Sequence, residues 1–125
     1  MWTIDKKTLA IDMHRGDTGG RYLQFRKKSR RPFNEGDVAI FEVKRGNDVK
    51  MLRIFRLDDD EGAGNGRFLL AFRNADTDTW ASGGYKTEFR VSLNPVYMNS
   101  EVKDGDTVRT PVQSTLNIRD VIIEI

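Results

Sequence analysis

The chain has 125 residues, of which 38% are hydrophobic and 32% charged, and seven Phe, three Tyr and two Trp supply bulk for a core. That suits one folded domain rather than two, and it excludes a disordered chain. There is no cysteine and only one histidine, so disulfide scaffolds, thiolate zinc sites, cysteine nucleophiles and multi-histidine sites are excluded, and the net charge of +2 is too small to imply a polyanionic partner.

In chain order, the N-terminal residues lack the apolar core of a signal peptide, and no later run approaches the roughly 20 apolar residues of a membrane span. A soluble intracellular protein without membrane association is therefore expected. Thr8-Leu9-Ala10-Ile11-Asp12-Met13 and Arg21-Tyr22-Leu23-Gln24-Phe25 read as two strands separated by the turn Gly16-Asp17-Thr18-Gly19-Gly20. Val38-Ala39-Ile40-Phe41-Glu42-Val43 is more uniformly apolar, which predicts a central strand. Arg45-Gly46-Asn47-Asp48 then predicts a hairpin into a strand over 49–57, with Val49, Met51, Phe55 and Leu57 on one face and Leu52 and Ile54 on the other. Phe68, Leu70 and Phe72 alternate ahead of Arg73, and the stretch from Tyr85 to Leu93 alternates throughout. A single helical turn is expected over 76–81. Segment 94–111 reads either as an extra hairpin or as a long connection. In the last stretch Leu116 and Ile118 fall out of phase with Val121, Ile123 and Ile125, which predicts a β-bulge near Arg119-Asp120. About seven to nine short strands with regular turns argue for an all-β fold, an antiparallel β-sandwich forming one domain over 1–125, with a small barrel as the alternative.

Charge is unevenly spread. Residues 1–56 carry 14 Lys/Arg against 7 Asp/Glu, and residues 57–125 carry 7 against 12. The run Arg26, Lys27, Lys28, Ser29, Arg30, Arg31 is either a phosphate-contacting patch or a solvated loop. The run Asp58, Asp59, Asp60, Glu61 lacks the alternating spacing of a calcium loop and reads as a hairpin tip. Both runs are candidate docking surfaces. Arg15-Gly16-Asp17 is turn chemistry. His14 has the right ordinary pKa for a general base, but no nucleophile motif surrounds it. Asp76, Asp78 and Glu88 could be drawn into a glycoside-type pair, yet nothing places two of them across a cleft. Gly62-Ala63-Gly64-Asn65-Gly66 precedes a strand, so the helix that would complete a phosphate loop is missing. No catalytic residue, cofactor or metal is expected. The alternatives to a docking module are a nucleic-acid-binding module using 26–31 and a carbohydrate-binding sandwich presenting Trp2, Trp80 or Tyr97.

Two stretches carry a family resemblance: Leu9-Ala10-Ile11-Asp12 with Arg15-Gly16-Asp17-Thr18-Gly19, and Asp76-Thr77, Trp80, Gly83 and Tyr85 leading into the strand to Leu93. With Gly36-Asp37-Val38-Ala39-Ile40-Phe41-Glu42-Val43 between them, their order is similar to the N-terminal domain of phage baseplate upper proteins, over most of the chain. The resemblance implies an immunoglobulin-like sandwich that is part of the virion, is assembled in the bacterial host cytoplasm and docks to other tail or baseplate proteins; self-association is left open. In the family further domains usually follow, whereas this chain stops at Ile125, so no receptor-binding role is carried over. Read physically, Asp17 and Thr18 shape a turn, Asp76 and Thr77 cap one, Trp80 covers the end of the core, Gly83 reverses the chain, and Tyr85 turns its ring inward.

Overall fold

A computed structural model describes residues 2–58, 64–93, 96–98, 101–103, 107–108 and 112–120. Most of them are in strands. These are β1 (Thr3–Ile4), β2 (Ile11–His14), β3 (Gly19–Gln24), β4 (Val38–Arg45), β5 (Asp48–Arg56), β6 (Arg67–Phe72), β7 (Gly83–Leu93), β8 (Val96–Met98), β9 (Glu101–Lys103), β10 (Thr107–Val108) and β11 (Val112–Arg119). The one helix, α1, is the single turn Asn74–Thr77. The fold is all-β.

The main sheet has the order β1-β2-β11-β7-β4-β5, with β10 added to the end of β7. It is not wholly antiparallel. β2 and β11 run parallel, with Ile11 beside Leu116 and Met13 beside Ile118. A tight hairpin enforces antiparallel pairing, whereas strands from opposite ends of a chain are free to pair either way. β3 and β6 form a separate two-stranded ribbon, and β8 and β9 another, so segment 94–111 contains a hairpin.

The alternating strands are where the side-chain pattern places them. Tyr85, Thr87, Phe89 and Val91 are buried on one face of β7, as are Phe68, Leu70 and Phe72 on β6. β4 lies between β5 and β7, and its buried residues Ala39, Phe41 and Val43 join the same core. Five phenylalanines link the layers: Phe68 of the ribbon stacks on Phe55 at 4.8 Å and on Phe25 at 5.8 Å, while Phe89 lies 4.7 Å from Phe41. Trp2 is fully buried, edge-on to Phe72 at 5.0 Å, and its Nε1 donates to the Gly19 carbonyl at 2.9 Å.

Three expectations shift. β2 starts at Ile11 rather than Thr8, because the Asp5 carboxylate accepts the N–H groups of Lys7 and Thr8 and Leu9 turns through φ +61°. Val49 is exposed, because the register slips between Val43 and Lys44. The helical turn begins two residues early, since Asp76 caps from inside it by accepting the Arg73 N–H at 2.7 Å. β11 keeps regular register to Arg119; residues 121–125, needed for the expected bulge, lie outside the described residues.

Among the described residues two buried hydroxyls, those of Thr87 and Ser92, are unmatched. The Thr87 hydroxyl is buried without a hydrogen-bond partner. Valine has nearly the same shape and nothing to satisfy. Thr87→Val is therefore expected to raise stability by about 1 kcal/mol, whereas Phe89→Ala should lower it by about 3–5 kcal/mol. Urea unfolding of the two variants measures both signs.

Candidate functional site

The residues of the family-like motif hold the fold together at one corner. The Thr77 hydroxyl accepts the Gly16 N–H at 2.9 Å, so it caps the β2–β3 turn rather than its own helical turn. Asn74 Nδ2 donates to the Gly16 carbonyl from the same turn of helix. Asp76 also receives Arg53 at 2.9 Å, a cross-layer contact that sequence reading missed because Arg53 lies on the inward side of β5. Trp80 packs 5.1 Å from Tyr85, and its carbonyl accepts from Arg15 Nε at 2.7 Å. Tyr85 buries its ring and donates its hydroxyl to the Ala81 carbonyl at 2.7 Å. Gly83, at φ +116°, opens β7. Asp17 accepts the His14 N–H at 2.9 Å, and Thr18 is exposed.

The basic run forms an arch from Phe25 to Phe33, and its cations divide into two kinds. Lys27 turns inward. Its side chain is only 18% exposed, with Nζ 3.8 Å from the Asp37 carboxylate, 3.3 Å from the Pro32 carbonyl and 5.1 Å from the centre of the Phe33 ring. Asp37 itself is 1% exposed and accepts the Asn34 N–H at 2.8 Å. Lys27 is therefore an anchor, which corrects its expected place among the docking residues. Arg26, Lys28, Arg30 and Arg31 are exposed. The arch is fixed further by Arg30 N–H donating to the Lys27 carbonyl and Phe33 N–H donating to the Gly64 carbonyl. Arg30 sits at φ +60°, a conformation that an ordinary side chain adopts at a cost of about 1 kcal/mol or more.

Of the acidic run, Asp58 alone is among the described residues. Asp58 is buried and held by Arg56 at 3.0 Å; Asp59, Asp60 and Glu61 lie outside the described residues. Asp76 and Glu88 have cationic partners of their own, Arg53 and Arg90. Glu42 stands directly across from Glu88 on the outer face of the sheet, each beside its own cation, Lys44 and Arg90. This like-charge neighbour follows from strand register, which sequence spacing does not specify. His14 is half exposed, with Nδ1 3.9 Å from Asp17. Among the described residues, no three His, Cys, Asp or Glu side chains converge in a way that could hold a metal ion.

Among the described residues three carboxyls sit below the ordinary aspartate value. Asp12 is lowered mainly by hydrogen bonds from Arg119, against a smaller opposing effect of burial. Asp58 is lowered mainly by hydrogen bonds from Arg56, and Asp5 by the backbone N–H groups of Thr8 and Lys7.

Two clefts flank the arch. One, of about 490 Å³, lies between it and Gly64-Asn65. The other, of about 730 Å³, lies between it and the inner face of β7. A third, of about 400 Å³, opens on Phe25 and Phe68 from the side of the β1–β2 loop. Trp2 and Trp80 are packed inside, so neither presents a sugar-binding platform, and the side chain of Tyr97 lies outside the described residues. Tyr22 is 62% exposed instead, with the Arg67 guanidinium 3.9 Å over its ring. No family model, curated protein or solved structure matches the chain.

Two outcomes follow. Lys27→Ala removes the cation beside the buried Asp37 and should cost about 1–3 kcal/mol, whereas Arg26→Ala and Lys28→Ala should each stay within about 0.5 kcal/mol of the parent in chemical unfolding. A carboxyl whose folded pKa lies below its unfolded one stabilises the fold above the unfolded value and ceases to do so as pH falls through the folded one. Stability contributed by Asp5, Asp12 and Asp58 should therefore be fully present above about pH 5 and be lost at lower pH, beginning near about pH 4. Unfolding curves from pH 7 to pH 2 should show a shallower acid limb for Asp12→Asn.

Proposed function

We propose that the protein is a non-enzymatic structural or adaptor module of a phage or prophage tail baseplate, an immunoglobulin-like sandwich that docks to other virion proteins. The observation that carries this reading is the outer edge of β5. Asp48–Arg56 ends the main sheet and, among the described residues, bonds along only one side, to β4. An edge of that length is a template for a further strand. Val49 and Leu52 stand exposed on it. Lys50, exposed on the same strand, favours a partner strand that carries acidic side chains. The resemblance of the Asp76-to-Tyr85 motif to baseplate upper proteins supplies the virion context. All the motif residues except Thr18 serve turns and packing, which leaves edges and loops to make contacts.

The nucleic-acid reading keeps one observation in its favour. Arg26, Lys28, Arg30 and Arg31 are exposed and have no carboxylate partner among the described residues. Base stacking has less support, because Phe33 is buried with Lys27 over its ring.

Light scattering and co-purification with proteins encoded beside it test the docking reading. The expected result is a stable complex, self-associated or with a tail protein, that Leu52→Lys weakens without lowering the melting temperature. A chain that stays monomeric and retains none of those proteins would remove the reading.

A further inference from the structure

The larger cleft beside the arch combines an apolar interior with a cationic rim. Its existence follows from the layering. β7 runs for eleven residues, but the β3–β6 ribbon covers only part of the sheet, and the arch spans the remainder. The floor is Phe25, Phe33, Phe89 and Val91. At the mouth are half-buried Leu93 and exposed Val112, which is 42% exposed, a large apolar surface left in water for its size.

The charge around this interior has one sign. Arg26, Lys27, Lys28 and Arg90 line the cleft, and among the described residues no Asp or Glu does. Lys27 is matched by Asp37, and Arg90 by Glu88 at 3.0 Å. Arg26 and Lys28 have no carboxylate partner among the described residues. The same holds on the opposite side of the arch, where the smaller cleft is lined by Arg26, Lys27, Arg30 and Arg31, again without a carboxylate. Because Lys27 pins the arch to Asp37 and Pro32, the backbone that carries Arg26 and Lys28 along the cleft is fixed before any ligand arrives.

We propose that this cleft binds a small anionic amphiphile, with a carboxylate or phosphate head at Arg26 and Lys28 and an apolar tail on Phe25, Phe33 and Val91. A cavity of about 730 Å³ is within the range of small-molecule sites, which combine apolar walls with a few polar groups that fix orientation. A strand of nucleic acid fits less well, because Phe25 is committed to Phe68 and Phe33 to Lys27, leaving no open ring for a base. The proposal is independent of the docking reading, since it needs no protein partner.

Calorimetric titration of the full chain with monomeric laurate tests it, with dodecyl phosphate, dodecanol and a single-stranded oligonucleotide in parallel. Saturable one-to-one binding of laurate and dodecyl phosphate is expected, with dodecanol clearly weaker. The double variant Arg26→Gln/Lys28→Gln should bind laurate roughly five- to tenfold more weakly. Val112→Trp, which blocks the mouth from an exposed position, should abolish binding while leaving the melting temperature unchanged. The proposal is overturned if laurate gives no saturable heat, if dodecanol binds as tightly as laurate, or if the double variant binds unchanged. Binding of the oligonucleotide without laurate would assign the cations to nucleic acid instead.

Discussion

The structure depends on one mismatch of area. The main sheet presents a broad apolar inner face, and the ribbon of β3 and β6 packs against it through Phe68. Phe68 bears most of that task, standing within 6.5 Å of Phe25, Phe55 and Phe89 between the layers. Aromatic side chains suit the role because each buries a large area for few rotatable bonds. Where the ribbon ends, the sheet is covered by the loop from Phe25 to Phe33, and an irregular cover packs less completely than a strand. The clefts along that loop are the physical consequence.

The second constraint is closure of the chain on itself. β2 and β11 come from opposite ends of the sequence, and their parallel pairing places Ile11 and Met13 beside Leu116 and Ile118. Polar contacts reinforce the seam: Arg119 donates to Asp12 at 2.8 Å, and Arg15 meets Asp120 at 2.7 Å. Arg53 to Asp76 joins the chain halves again at the α1 turn. The basic first half and acidic second half are thus interleaved, and several of their charges neutralise one another locally.

The division of labour within the basic run has functional weight. A loop of six residues with five cations would ordinarily be mobile, because like charges repel and long side chains favour water. Here one cation is withdrawn to a buried carboxylate and pins the backbone, and the others are left outside on a fixed frame. Such a frame suits recognition, since little further ordering is needed when an anion binds. The β5 edge is a separate surface, where backbone groups of the outermost strand face outward.

Much of this was legible in the residues alone. Period-two alternation in Phe68, Leu70 and Phe72 and from Tyr85 to Val91 determined which side chains face the core, because a strand has only two faces. The uniformly apolar Val38–Val43 stretch fits β4's place between two neighbours, one strand in from the sheet edge, and Gly46-Asn47 determined a hairpin. The absence of cysteine and the lone histidine bounded the chemistry. What only the tertiary structure decided concerns partners distant in sequence. Parallel pairing of β2 with β11, Thr77 reaching Gly16, and Arg53 reaching Asp76 span up to about a hundred residues, and no local pattern encodes them. The same reason explains the candidate surface. Lys27 and Asp58 look like their charged neighbours in the sequence, but burial against Asp37 and Arg56 sets them apart, and burial is a property of the assembled fold.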